Sequence, residues 1–247
     1  AGLVSTAMYF RARTEAAKAE QVAAFLGDML TGVGPSVARG RDTTMLREIL
    51  DRTAERVAAE LDGQPEVAAG IQQVLGNTYQ QLGELEAAES HANASLAAHR
   101  KQFAGDHLSI VEDLRILGTV KWNGRKLGEA EALFRQALDM SRRLHPEAST
   151  GRADVLTDLG NVLAEAGRYD EAEPLIREGL AVRRAVLGRE NESIAASLTS
   201  LGNLMHYRGA FEEAEPLYRE ALAIDRRLWG DDHPEVATGL VNLGRLQ

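Results

Sequence analysis

Phe211-Glu212-Glu213-Ala214-Glu215-Pro216-Leu217-Tyr218-Arg219-Glu220-Ala221-Leu222 is the last of three close copies of one phrase. The copy 42 residues upstream reads Tyr169-Asp170-Glu171-Ala172-Glu173-Pro174-Leu175-Ile176-Arg177-Glu178-Gly179-Leu180. The copy 42 residues before that reads Leu127-Gly128-Glu129-Ala130-Glu131-Ala132-Leu133-Phe134-Arg135-Gln136-Ala137-Leu138. A fainter one stands at Glu84-Leu85-Glu86-Ala87-Ala88-Glu89. A fixed period of this length marks a repeat array, in which each unit buries its apolar face only against its neighbours.

The period extends outward from the phrase. Leu75-Gly76, Leu117-Gly118, Leu159-Gly160, Leu201-Gly202 and Leu243-Gly244 recur every 42 residues, each inside an amphipathic helix, helix A. A turn follows with Gly83, Gly167 or Gly209, and Arg125 holds that place after Gly124. Helix B comes next, then a polar linker such as Gly230-Asp231-Asp232-His233-Pro234. One linker departs: His145-Pro146-Glu147-Ala148 stands four residues off the His-Pro register. The prolines of the array are expected near helix ends. A glycine in a helix interior costs about 1 kcal/mol against alanine. Five at one phase therefore predict a close approach, in which a bulky residue of a neighbouring helix lies against the bare backbone of helix A; the large residues available are Leu85, Leu127, Tyr169 and Phe211, with Phe134, Ile176 and Tyr218 further along. Ala88, Ala130, Ala172 and Ala214 are the small residues expected on the other side of that crossing.

Composition narrows the function. Charged residues make up 26% of the 247 and the AVILMFWYC set 44%, a soluble, folded balance. Without cysteine there is no disulfide framework, thiolate metal site or thiol nucleophile. A net charge of −9 argues against general binding of nucleic acid, which needs a basic surface.

Residues 1–31 predict an N-terminal helix, broken by Gly32, Gly34 and Pro35. The apolar start from Ala1 to Phe10 is too short to span a bilayer, which takes about 20 residues. It has no basic region in front and so is no signal peptide as written. Two readings stand: the tail of a membrane helix, or the apolar start of a soluble one. A second helix over 42–64, with Leu46, Ile49, Leu50, Val57 and Leu61 as its stripe, suits an N-terminal cap. The array is expected over 65–247, as repeats 65–106, 107–148, 149–190 and 191–232 and a half repeat 233–247. That last helix A has no helix B after it. Either the chain once continued, or a second copy covers the face, which makes a homo-oligomer one expectation.

The pattern Leu201, Gly202, Met205, Ala214, Tyr218, Ala221 resembles the tetratricopeptide repeat. It departs at the aromatic position after the glycine, kept only as Tyr79 and replaced by Lys121, Leu163 and Met205. The 42-residue unit, against the usual one of about 34, is similar to the kinesin-light-chain class. The extra residues would lengthen both helices by about a turn. The resemblance implies an all-α, right-handed superhelical solenoid of antiparallel helix pairs that works by protein recognition. Phe25-Leu26-Gly27-Asp28-Met29-Leu30, Gly40-Arg41-Asp42-Thr43-Thr44, Ile49-Leu50-Asp51-Arg52 and Leu61 to Val67 resemble the segment joining kinase to repeats in certain bacterial membrane-anchored serine/threonine protein kinases. No kinase motif stands in these 247 residues.

Stacked A helices line the concave side of such arrays. Three columns then face a partner: Gln73, Arg115, Thr157, Thr199 and Val241; Asn77, Thr119, Asn161, Asn203 and Arg245; Gln80, Trp122, Ala164 and His206. Amides and hydroxyls can serve an extended backbone, which offers one donor and one acceptor per residue. Arg115 can pair a partner carboxylate and Trp122 can anchor an apolar group. The bland alternative makes Asn and Thr mere soluble groove residues. The repeated acidic pairs Glu171/Glu173 and Glu213/Glu215 read as first-turn residues favoured by the helix dipole. Asp231-Asp232-His233 and Gly105-Asp106-His107 read as capping linkers before metal sites. Arg142-Arg143, Arg183-Arg184 and Arg226-Arg227 read as structural. The chain is thus expected to be a non-catalytic scaffold, with no cofactor and no metal, whose partner is a protein or peptide. It would be the docking region of a kinase, cytoplasmic or membrane-anchored through residues 1–10. The alternative is a stand-alone adaptor.

Overall fold

A computed structural model describes residues 44–61, 63–144, 149–188 and 190–246. The helix expected over 1–31 and the linker His145–Ala148 lie outside the described residues. Among these there are ten α-helices and no strand. They are α1 (Thr44–Glu60), α2 (Pro65–Gln81), α3 (Leu85–Gln102), α4 (Leu108–Asn123), α5 (Leu127–Leu144), α6 (Thr150–Glu165), α7 (Tyr169–Leu187), α8 (Glu192–Tyr207), α9 (Phe211–Trp229) and α10 (Pro234–Gly244). The chain divides into two compact units, residues 1–105 and 106–247.

In the first unit α2 and α3 form an antiparallel pair, with α1 against α2. Leu50 and Val57 of α1 are buried, as are Ile71, Leu75 and Tyr79 of α2. The Tyr79 hydroxyl donates to Asp51 Oδ1 at 2.6 Å and its ring stacks on His91.

In the second unit α4–α5, α6–α7 and α8–α9 are the helix pairs. Each B helix also packs on the next A helix, through to α10 on α9. The three A helices are 16 residues long and the B helices 18, 19 and 19. Their starts share one device: His107, Ser149, Asn191 and His233, spaced at the repeat period, each accept a backbone N–H of the first turn at 2.9–3.3 Å. That side-chain bond satisfies one of the orphan donors at a helix start. The turns between A and B hold Gly83, Gly167 and Gly209 at φ 77–80° and Arg125 at φ 63°. Glycine enters this left-handed region without steric cost; Arg125 is the residue for which it is uncommon.

The crossing expected from the glycines is present. A Cβ on Gly118 would lie 2.6 Å from the Phe134 ring, one on Gly160 2.5 Å from Ile176, and one on Gly202 2.6 Å from the Tyr218 ring. Ala88, Ala130, Ala172 and Ala214 are wholly buried. Pro174 and Pro216 do not stand at helix ends: each is the sixth residue of its helix, exposed, in the second turn. Each leaves one carbonyl, of Asp170 or Glu212, without its helical donor. Both residues are exposed, so water can serve them.

Candidate functional site

The A helices of the second unit border a trough of about 510 Å3. Trp122 of α4, Asn161 and Glu165 of α6, and Ser200, Asn203 and Tyr207 of α8 line it, with Arg125 and Tyr169 at its edge. The Trp122 indole N–H donates to Glu165 Oε2 at 2.5 Å, and Arg125 pairs with the other oxygen of the same carboxylate. Asn161 Nδ2 donates to Ser200 Oγ at 3.3 Å, and Asn203 Oδ1 accepts from the Tyr218 hydroxyl at 2.8 Å. Each amide thus keeps one end free of protein partners among the described residues: the Asn161 oxygen and the Asn203 N–H2. One acceptor and one donor in a trough walled by Trp122 and Tyr207 match the needs of a peptide unit.

The other polar residues expected at the groove are not among the lining of this trough. Arg115 is held by Glu112, with N–O distances of 2.6 and 2.9 Å, and by Asp158 at 3.4 Å. Glu112 holds the guanidinium charged above its usual range. Its charge is therefore largely matched within the chain. Burial pushes the Asp158 carboxyl up to about 6 against the pull of Arg115. Thr119 donates to the Arg115 carbonyl at 3.0 Å. Thr157 is buried, donates to the Ala153 carbonyl at 2.9 Å and accepts from Arg183 at 2.7 Å. Thr199 lines a different cavity. The His206 ring lies 5.9 Å from that of Tyr207 and 5.4 Å from that of Phe211. Gln73 and Asn77 are half-buried on α2, in the first unit. Of the residues in the sequence columns, Trp122, Asn161 and Asn203 line this one trough, together with Ser200, Glu165 and Tyr207, which the columns did not include. Those stand one residue beyond the chosen columns, at the same 42-residue register.

The repeated charges are built into the array. Glu171 pairs with Arg168 at 2.7 Å, Glu173 with Arg177 and Arg208, and Glu215 with Arg219. Arg142 reaches Glu178 and, one period on, Arg184 reaches Glu220. Arg226 meets Asp231 at 2.7 Å and Arg227 meets Glu190 at 3.0 Å. In the two His-Asp linkers the histidines cap the next helix, while Asp106 binds Arg143 and Asp231 binds Arg226. Among the described residues no group of three or more His, Asp or Glu is placed to hold a metal ion. No helix among them is long and apolar enough to cross a membrane.

Helix pairs stacked at a constant period define a scaffold of the helical-repeat class. The model of the tetratricopeptide repeat family matches residues 67–143 and 151–227, more than half the chain, and the protein belongs to that family. No curated protein matches by sequence. Among solved structures the chain is similar to BtubC (BKLC) from P. vanneervenii. The TM-score is 0.70 at 20% identity, over 83% of this chain and 84% of that one. It is also similar to a Podosopora anserina putative kinesin light chain with nearly identical TPR-like repeats, with TM-score 0.57 and 21% identity over 74% and 86%. The apo form of RapI gives TM-score 0.70 at 14% identity over 92% and 77%. At these identities the likenesses bear on the fold alone. The fold is a tetratricopeptide solenoid, similar to that of a putative kinesin light chain, and a scaffold of this family suggests protein–protein interaction.

Proposed function

We propose that the protein captures an extended peptide segment of a partner in the trough between α4, α6 and α8. The observation that carries this reading is the pair of half-used amides, Asn161 and Asn203, set beside Trp122 and Tyr207. The amides would fix the backbone of the guest and the two rings would hold an apolar side chain, the usual division between orientation and affinity. The same reading makes the chain the docking arm of a larger signalling protein. The likeness of residues 25–67 to the linker of bacterial membrane-anchored serine/threonine kinases supports a kinase parent. A stand-alone adaptor would use the trough in the same way.

The test is selection of peptides from a random library on the full chain, with affinities measured for wild type, Asn161→Ala and Trp122→Ala. Each substitution should weaken the selected peptide by about tenfold, equivalent to about 1.4 kcal/mol, with helical content unchanged. Asn203 is a poorer probe, because its oxygen satisfies the buried Tyr218 hydroxyl. Its removal would cost about 1–3 kcal/mol of stability by itself. Peptides that bind both variants as tightly as wild type would place the capture site outside this trough.

A further inference from the structure

One buried position changes its charge from repeat to repeat. In α7, Arg183 is almost wholly buried. Its guanidinium donates to Asp154 Oδ1 at 2.5 Å, to Thr157 Oγ at 2.7 Å and to Ser197 Oγ. One period later, in α9, the residue is Asp225, and the three partners have become Ala196, Thr199 and Gly239. The cation is gone, and so are the carboxylate and one hydroxyl that held it. A cavity of about 680 Å3 stands there, lined by Asp225, Thr199, Ala196 and Gly239 and closed on one side by Trp229 and His233.

Asp225 is 8% exposed and has neither hydrogen bond nor ion pair among the described residues. The neighbouring cations of α9 are engaged elsewhere, Arg226 by Asp231 and Arg227 by Glu190. The Asp225 carboxylate opens onto the cavity, where the negative charge is left for a guest to meet. Burial and the nearby Glu235 push its carboxyl above the ordinary range, and His233 pulls the other way. The Thr199 hydroxyl, counterpart of the Thr157 hydroxyl that accepts from Arg183, also has no partner among the described residues. Trp229 stacks on the His233 ring with centroids 5.0 Å apart and planes at 17°, and is half exposed. A flat cation can lie against such an indole face. Glu192 and Glu235 at the lining add negative potential.

We propose that this cavity between α8, α9 and α10 is a binding site for an alkylguanidinium group, supplied from outside where Arg183 supplies it from within one repeat earlier. The guanidinium donates to Asp225 and Thr199 and stacks on Trp229. The site shares no lining residue with the trough, so it stands whether or not a peptide is captured there.

Calorimetric titration of the full chain with N-acetylarginine amide, and with a capped five-residue peptide bearing one arginine among glycine and serine, tests this. Citrulline counterparts, which keep the shape and lose the charge, are the controls. The arginine probes should bind saturably and at least tenfold more tightly than the citrulline ones. Asp225→Asn, isosteric and relieved of the buried charge, should lose at least tenfold. Trp229→Leu, at a half-exposed ring, should lose about threefold or more. Ala196→Asp restores the carboxylate found one repeat earlier and should tighten binding. A peptide tenfold tighter than the amide makes the guest a polypeptide arginine; equal affinities make it a small guanidinium compound. Absence of saturable heat with both arginine probes at 10-millimolar order, or an Asp225→Asn affinity within twofold of wild type, overturns the proposal.

Discussion

Asp158 shows how a single carboxylate can work against the fold that holds it. It faces Arg115, but at 3.4 Å, while Glu112 takes the closer, two-pronged grip on the same guanidinium. The attraction left over does not offset the cost of taking the charge out of water, and the carboxyl rises from 3.8 to about 6. The sign of the pH effect follows. Between these two values the folded chain keeps a proton on Asp158 that the unfolded chain has lost. Stability contributed by this group is full below the unfolded value and declines as pH rises through about 6. A shift of two units corresponds to about 3 kcal/mol; solvent still reaches part of this side chain, so about 1–2 kcal/mol is the expected size. Asp158→Asn removes the titration. In urea melts the wild type should lose that amount relative to the variant between pH 4 and 7, with nearly all of the loss between about pH 4 and 6. A wild type that instead gains on the variant over this range would mean that Arg115 outweighs burial.

At the scale of helices, the glycine of each A helix is where the pattern meets a measurable force. Gly160 has Ile176 and the Ala172 carbonyl against its backbone, whereas Gly244, at the same register, has no neighbouring atom within 4 Å of where a Cβ would stand. The same substitution should therefore act with opposite sign. Gly160→Ala must displace Ile176 and should cost about 1–3 kcal/mol by overpacking. Gly244→Ala should be neutral or gain up to about 1 kcal/mol of helix propensity. Chemical denaturation of both variants checks the pair; equal effects would remove the crossing as the reason for the glycines. This crossing was legible in the sequence because a 42-residue period with a 3.6-residue helix fixes which residues face one another inside a pair. The cap positions were only half legible. The two His linkers suggest capping, but Ser149 and Asn191 need the period to be seen as their equivalents. Arg183 was not legible at all as a buried residue. Its side chain joins three helices, and a late-helix Arg-Arg looks like any solvated helix end. Nor did the columns show that Thr157 is buried and accepts from Arg183. Which residues line a trough depends on the rotation between successive pairs, and the repeat period does not encode that rotation.

Across the second unit, burial is graded along the stack, and this grading sets where the array opens first. Helix α6 packs against α4, α5, α7 and α8. Its Ala153, Val155, Leu156, Leu159, Val162 and Leu163 are all at most 1% exposed. Helix α10 packs on α9 and buries only Val236, Gly239 and Asn242, while Leu240 and Val241 are about half exposed or more. In a repeat array stability is nearly a sum of unit and nearest-neighbour terms. A helix with one neighbour then opens at lower free energy than one with neighbours on every side. Native-state hydrogen exchange should accordingly rank the amides of α6 as the slowest of this unit and those of α10 as the fastest. Core truncation should follow the same order. Leu156→Ala leaves a cavity enclosed on all sides and should cost about 2–5 kcal/mol. It should raise exchange in the helices from α4 to α8 together. Val236→Ala should cost about 1–2 kcal/mol, at the low end for a buried aliphatic because α10 can settle onto α9. Its effect on exchange should stay within α9 and α10. Uniform exchange across α4–α10, or an α6 that opens with α10, would mean that this unit unfolds as one cooperative body rather than from its less enclosed end.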